Sequence, residues 1–252
     1  MKMQGKVVLI TGASSGIGKA MAEVFGREGA SLCLMARNTE RLEQLVGSLE
    51  SRGVRSFAIT GDVSKEQDCK RFVDESYGRY GRIDVLINNA GQSMRALFEQ
   101  TELSVLKQLM DINFWGAVYC TKFALPHLLA VKGSVVGVSS IAGKKGLPGR
   151  TGYSASKFAM EGFMETLRTE NLKKGLHVLV ACPGFTSSNI RQSALSADGS
   201  VQGESPRDEH KMMTAGEVAE RILSAVNSRK RDIVMTTNGK LAVWLNRFFP
   251  SW

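Results

Sequence analysis

Short apolar runs recur along the chain near 6–11, 30–36, 54–60, 83–88, 133–139, 176–182 and 231–236. Each has the length of a strand buried on both faces, and helical patterns of apolar and polar positions fill most of the gaps. Alternating β and α segments predict a doubly wound α/β fold, a parallel sheet with helices on both faces. Right-handed crossovers then bring the strand C-termini to one edge, where ligands bind at the topological switch point. Thr11, Asn88, Ser140 and Pro183 fall at such strand ends. No repeat, low-complexity tract or linker divides the 252 residues, so one domain is expected over 1–252. One segment, about 186–214, lacks periodicity and is rich in Ser, Gly, Asp and Glu. Irregular chain of that length predicts a substrate loop or lid.

The first apolar run, Val7-Val8-Leu9-Ile10, leads into Thr11-Gly12-Ala13-Ser14-Ser15-Gly16-Ile17-Gly18 and then a helical pattern. Strand, glycine turn, helix is the setting in which a Gly-rich loop binds phosphate. Gly12 would permit the turn, Gly16 the approach of backbone to a pyrophosphate, and Gly18 close helix–strand packing. The helix N-terminus would add N–H donors and the positive end of its dipole. The spacing is G-x-x-x-G-x-G, not the G-x-G-x-x-G of the standard dinucleotide fingerprint, and the same glycines would also serve a simple turn.

Tyr153 and Lys157 stand four residues apart in Tyr-Ser-Ala-Ser-Lys, on one face of a predicted helix. A neighbouring ammonium stabilises a phenolate and is expected to lower the phenol's pKa from its reference of about 10. That would move the tyrosine towards proton exchange near neutral pH. The spacing alone equally fits an ordinary amphipathic face. Further motifs follow in order: Asn88-Asn89-Ala90-Gly91 after a strand, Asn113 in a predicted helix, Ser139-Ser140 closing a strand, and Pro183-Gly184 closing another.

Together these motifs resemble the short-chain dehydrogenase/reductase family, from about Lys6 to about Val234. The resemblance implies a catalytic set of Asn113, Ser140, Tyr153 and Lys157. Tyr153 would be the general acid protonating a carbonyl oxygen as hydride arrives from the nicotinamide. Ser140, thirteen residues before Tyr153, would hydrogen-bond the substrate oxygen, leaving Ser139 an ordinary strand-end serine. Lys157 would also bind the nicotinamide ribose, and Asn113 would hold a water linking Lys157 to solvent. The cofactor would rest on Gly12, Ser14, Ser15, Gly16, Ile17, Gly18, Asn89, Ala90 and Gly91. Pro183, Gly184, Phe185 and Ser188 would approach its carboxamide end. Asp62 and Val63 match the family's adenine-contacting step, although Asp62 would also serve as a helix cap.

The cofactor choice rests on the end of the second strand. NAD-preferring folds carry a carboxylate there for the ribose 2′-hydroxyl; here the chain reads Ala36-Arg37-Asn38. Ala36 removes the carboxylate that would repel a 2′-phosphate, and Arg37 offers that phosphate a charge-assisted fork. By the resemblance Ser14, Arg37 and Asn38 form the 2′-phosphate site, so NADP(H) is expected over NAD(H). The plainer alternative makes Arg37 a solvated charge at the start of a helix. Ser15, where some NADP-preferring members have a second basic residue, weakens the match.

The substrate wall is expected from Gln92 to Leu97, Leu147 to Arg150 and the 186–214 loop. Leu147, Pro148, Phe185, Met94, Met212 and Met213 suggest an apolar pocket for a hydrophobic carbonyl compound. The stretch from Ser193 to Ser200 and the chain's end resemble the branch containing dehydrogenase/reductase member seven-B, which is associated with membranes and lipid-type ketones. In that tail Leu241, Trp244, Leu245 and Phe248 form an amphipathic stripe, with Phe249, Trp252, Lys240 and Arg247 adjoining. With a net charge of +9 and Arg229-Lys230-Arg231 upstream, the segment 238–252 reads as a peripheral membrane contact, or as a stripe that docks on protein. Surplus apolar residues on the helices near 104–130 and 152–174 (Phe114, Trp115, Val118, Phe158, Met160, Phe163 and Met164) match the family's two-fold interface, implying a homodimer or homotetramer.

What is missing narrows the rest. No run of eighteen apolar residues and no room for a signal peptide before the first strand predict a cytoplasmic protein. Cys33, Cys69, Cys120 and Cys182 are scattered like buried free thiols. His127, His177 and His210 have no ligand-like neighbours, so no metal is expected. The dispersed basic charge comes without a nucleic-acid-binding motif. Against an enzyme stands one other class, a binding protein keeping the dinucleotide as a sensor or scaffold signal; the complete catalytic set favours the enzyme.

Overall fold

The computed structural model describes residues 2–187, 190–203 and 212–249. Its strands are β1 (Val7–Thr11), β2 (Ser31–Ala36), β3 (Ser56–Thr60), β4 (Val85–Asn88), β5 (Ser134–Val138), β6 (His177–Cys182), β7 (Thr186–Ser187), β8 (Met213–Thr214) and β9 (Asp232–Val234). All seven strands expected from the apolar runs join one sheet in the order β3-β2-β1-β4-β5-β6-β9, every pair parallel. The helices are α1 (Gly16–Arg27), α2 (Thr39–Glu50), α3 (Glu66–Tyr80), α4 (Leu103–Met110), α5 (Gly116–Ala130), α6 (Thr151–Glu170), α7 (Ala215–Asn227) and α8 (Thr237–Phe248).

Successive strand side chains point to opposite faces, and both faces are covered. Val8 and Ile10 of β1 enter one core with Phe25 of α1, Leu42 of α2 and Ile222 of α7. Val7 and Leu9 enter the other with Phe72 of α3, Cys120 of α5 and Met164 of α6. Each such buried side chain contributes about 1.5–3 kcal/mol, which explains why these strands read as unbroken apolar runs. The connections leave β1 towards β2 on one side and β4 on the other. A cleft opens at that divergence, at the C-terminal edge of the sheet.

Two surface expectations change. Met160 and Met164 lie in the second core, not on the outer face of α6, because the helix turns them towards β5. Trp115 and Phe158 do remain exposed. The described parts of the 186–214 segment also pair more regularly than their composition suggested. β7 pairs with β8, Leu195 bridges both Met94 and Val201, and Thr214 closes a capping box on α7 with Glu217. One of these pairings, Leu195 with Met94, reaches a distant segment, which a local pattern does not reveal. The helix α8 carries the tail stripe: Leu241, Trp244 and Phe248 are exposed, as is Phe249 just beyond it. Trp252 lies outside the described residues.

Candidate active site

A cleft of about 970 Å³ runs along the sheet edge. Gly12, Ser14, Ser15, Gly16 and Ile17 line its floor. Gly12 (φ 66°) and Gly16 (φ 52°) adopt the left-handed backbone that favours glycine. Gly18 stands behind the wall: a Cβ there would lie 2.1 Å from the Gly12 carbonyl oxygen. Ser15 makes no side-chain cap on α1, and no acidic residue stands in the first turn. The helix therefore presents N–H donors and a positive dipole end to the cleft. Asn89 stitches β4 to this turn, its Nδ2 donating to the carbonyls of Thr11 (2.9 Å) and Gly12 (3.2 Å). The backbone N–H groups of Asn89 and Ala90 both donate to Thr11 Oγ1 at 3.0 Å.

At one end of the cleft stand Ala36, Arg37, Asn38, Asp62 and Val63, together with Arg41, which the sequence reading missed. Arg41 follows Arg37 by four residues on the first turn of α2, a spacing that should have flagged it. Arg37 is exposed and makes no hydrogen bond or ion pair among the described residues. Asn38 already has one task, as its Oδ1 accepts the Arg41 N–H at 2.8 Å and caps α2. Asp62 does not cap α3, whose N-cap is Lys65. Its Oδ1 instead accepts from Ser64 N and Oγ, both at 2.9 Å, bracing the turn before the helix.

Mid-cleft, Ser140, Tyr153 and Lys157 converge. Tyr153 and Lys157 lie in the first two turns of α6, which begins beside the end of β5. Lys157 is 3% exposed, and its ammonium donates to the Val138 carbonyl at 2.8 Å. Burial pulls it down to about 8, against the opposing charges of Cys182 and Glu161. The Tyr153 phenol moves the other way from expectation. Burial raises its pKa, and the opposing pull comes from a hydrogen bond with Ser140 and the charge of Arg150. Lys157 Nζ lies 5.9 Å from the ring centroid and is itself desolvated, so it does not draw the phenol down. Asn113 is fully buried in a π-helical turn, Asp111–Trp115, a distortion common at functional sites. Its Oδ1 accepts the Gln92 N–H at 2.8 Å; its Nδ2 donates to Gln92 O at 2.9 Å and Ser156 Oγ at 2.8 Å. A Cβ on Gly91 would sit 3.2 Å from Asn113 Oδ1 and 3.4 Å from Lys157 Nζ, so both flank that glycine.

A family model for short chain dehydrogenase matches residues 6–199. The chain belongs to the short-chain dehydrogenase/reductase family. It is 38% identical to 11-beta-hydroxysteroid dehydrogenase-like 4A of Arabidopsis thaliana, over 99% of this chain and 82% of that protein. Dehydrogenase/reductase SDR family member 7B of mouse is 37% identical over 98% of this chain and 79% of that protein, so likeness to that branch covers the whole chain and not its last third alone. Two solved structures share the fold. The alcohol dehydrogenase of Thermococcus sibiricus complexed with 5-hydroxy-NADP has a TM-score of 0.81 and 26% identity, covering 91% of this chain and 95% of that one. A family member from Burkholderia phymatum in complex with NAD has a TM-score of 0.89 at 23% identity, covering 100% and 96%.

This family's fold binds a nicotinamide dinucleotide, and the residues present fit one. The α1 terminus, with no side-chain cap from Ser15, and the glycine turn provide an anion cradle. Pro183, Gly184 and Phe185 line the cleft beyond Lys157, while Ser188 lies outside the described residues. A Cβ on Gly184 would come within 2.5 Å of Thr236 Oγ1, which explains the glycine. Ser139 is not the ordinary strand-end serine expected. Its Oγ donates to Glu161 Oε1 at 2.6 Å, and Glu161 pairs with Lys144 at 2.7 Å. This braces the turn after Ser140.

The far wall comes from the stretches expected, 92–95, 147–150 and the 186–214 segment, and departs from the sequence reading in its polarity. Leu147, Pro148 and Phe185 line it, but Met94 is fully buried in a separate core, and Met212 and Met213 do not reach the cleft. Gln92, Ser93, Arg95, Arg150 and Arg191 stand there instead. Met94 is fully buried in its own core between Ser93 and Arg95, which line the cleft. All four cysteines are buried and free, and burial pushes Cys33 and Cys182 up to about 12. Among the described residues no cluster could hold a metal, and no helix is long and apolar enough to cross a membrane.

Proposed function

We propose that this chain is an NADP(H)-dependent oxidoreductase that reduces the carbonyl of a hydrophobic, lipid- or steroid-like ketone. One observation carries the reading: Ser140, Tyr153 and Lys157 share a single cleft with Arg37. Bound NADPH supplies hydride to the carbonyl carbon. Tyr153 gives its proton to the carbonyl oxygen, so that ketone becomes alcohol and the charges balance. A phenol raised by burial stays protonated across the physiological range, the form a reductive general acid requires. Ser140 donates to the same oxygen and stabilises its developing charge. Lys157, lowered to about 8, can return a proton to Tyr153 near neutral pH and hold the ribose hydroxyls. Asn113 fixes the Gly91–Gln92 backbone beside it.

The preference for NADP(H) is argued from Ala36, Arg37 and Arg41, whose two guanidiniums suit a 2′-phosphate; the neighbour complexed with 5-hydroxy-NADP is consistent with it. The substrate class is supported by Leu147, Pro148 and Phe185 and by relatives named for 11-beta-hydroxysteroid. NADPH oxidation with a panel of ketones tests the reaction. Turnover of long-chain or steroid ketones is expected; NADPH binding without turnover of any ketone would favour the sensor or scaffold class.

Exposed Trp115 and Phe158 support pairing through α5 and α6 into a homodimer or homotetramer. Light scattering at micromolar concentration should exceed the monomer mass. The exposed aromatics of α8, beside Lys240 and Arg247, support peripheral contact of a cytoplasmic protein with anionic membrane. Sedimentation with phosphatidylserine vesicles but not phosphatidylcholine vesicles is expected, and should be lost in Trp244→Ala.

A further inference from the structure

Tyr153, Lys157 and Glu161 follow one another at intervals of four on α6 and so stand along one face of that helix. Tyr153 and Lys157 line the cleft; Glu161 does not, and its side chain is 12% exposed. Its contacts bracket Ser140 in the chain. Oε1 accepts from Ser139 Oγ at 2.6 Å and from Cys182 Sγ at 3.5 Å, while Oε2 lies 2.7 Å from Lys144 Nζ. A Cβ on Gly143 would lie 2.5 Å from both Glu161 Oε1 and Ser139 Oγ, so the carboxylate fills the space against the turn Ile141–Gly143. One residue earlier in the strand, the Val138 carbonyl is tied to the same helix by Lys157 at 2.8 Å.

Ser140 needs such a frame. Its Oγ accepts the Ala142 N–H at 3.2 Å and caps a single short turn, which holds little shape by itself. Charge-assisted bonds are shorter and stronger than neutral ones, and a carboxylate has lone pairs for all three donors. An amide in its place would offer one oxygen and turn an NH2 group towards the Lys144 ammonium. Asp232 is no substitute partner, since it lies 3.7 Å from Lys144 Nζ and is 45% exposed. We propose that Glu161 is a positioning residue for carbonyl reduction: from the helix that carries Tyr153 it fixes the turn that carries Ser140, so that both hydroxyls meet at one oxygen. This deepens, and rests on, the reading of the cleft as a ketone-reducing site. A misplacement of about 1 Å among reacting groups can cost roughly a hundredfold in rate. The dinucleotide cradle, built from the ends of β1 and β4 and the start of α1, lies outside these contacts.

Glu161→Gln in the full chain keeps the side-chain shape and removes the charge. NADPH binding and ketone turnover are measured on it, together with amide hydrogen exchange, which needs no substrate. The Gly143 and Lys144 N–H groups donate to Ser140 O and Ile141 O, each at 3.0 Å, so they report on the turn directly. In the variant kcat should fall about tenfold or more while the NADPH dissociation constant stays within about threefold. Exchange across 140–145 should quicken by about fivefold or more, with β1 and α1 unchanged. Wild-type kcat, or wild-type exchange in the turn, overturns the proposal. So does a loss shared by kcat, NADPH binding and exchange throughout the chain, which marks a merely structural residue. Should thermal melting show Glu161→Gln unfolded, Ser139→Ala replaces it, breaking the link to Ser140 without leaving a buried charge unpaired. The same pattern is expected there, and unchanged kcat and exchange overturn the proposal. If wild type reduces no ketone, faster exchange confined to the turn would leave the frame standing and remove the reaction; reduction by wild type with an unchanged turn in the variant would do the reverse.

Discussion

The two ends of the cleft are built on opposite principles. The dinucleotide end is mostly backbone: glycines, the α1 terminus and hydrogen bonds from Asn89 to Thr11, with Arg37 and Arg41 at its rim. Each of its parts is a strand end with the turn that follows it, and the Gly12–Gly18 turn runs straight from β1 into α1. The substrate end is mostly side chain, and its parts come from stretches separated by tens of residues. A site made of backbone must keep its glycines, whereas one made of side chains can change ligand by exchanging a few residues. The contrast explains how one family fold can hold a common cofactor and different substrates.

Gly18→Ala should strike the backbone end hardest. Its Cβ would have to sit 2.1 Å from the Gly12 carbonyl oxygen, so the turn must open. NADPH affinity is expected to fall by more than about a hundredfold, measured by fluorescence titration, with thermal stability also reduced. A Gly18→Ala variant with normal affinity would mean the turn does not set the site.

Arg37→Ala comes next. A charge-assisted hydrogen bond contributes about 1.5–3 kcal/mol, so NADPH binding should weaken roughly tenfold to a hundredfold while NADH binding stays nearly constant. Ala36→Asp should go further, setting a carboxylate against the phosphate and offering the NADH ribose an acceptor. Equal loss for both nucleotides would make Arg37 a structural residue and remove the main support for NADP(H).

The smallest effect is in stability. Lys157 has a folded pKa of about 8, below its unfolded value of 10.5, so its charge opposes folding below pH 8. The unfolded chain binds more protons between pH 8 and 10.5, and this contribution makes stability rise with pH across that window. Lys157→Met should therefore raise Tm at pH 7 by a few degrees despite losing the bond to Val138 O, and the gain should shrink as pH climbs to 10.5. Activity should disappear in the same variant. A lower Tm at every pH would mean that the ammonium stabilises its surroundings.

The strands and the motif residues at their ends were legible because each is encoded within a dozen neighbouring residues. Tyr153 and Lys157 of α6, Ser140 at the end of β5, and Gly12 and Gly16 line one cleft. The direction of the Tyr153 shift was not legible, because a spacing of four residues says nothing about how deeply a phenol is buried. Nor was the polar wall: Met94 and Arg95 are adjacent, and only the register against Leu195 decides which of them faces the cleft. The Ser139–Glu161–Lys144 brace joins three elements and left no local trace.

The proton donor is the centre of the account, and a single comparison reaches it. Wild type and Tyr153→Phe should be assayed side by side for NADPH binding and for ketone-dependent NADPH oxidation. Removing only the phenolic hydroxyl should leave the dissociation constant for NADPH within about threefold while turnover falls by roughly three orders of magnitude or more. A Phe variant keeping a tenth of wild-type turnover would contradict Tyr153 as the acid.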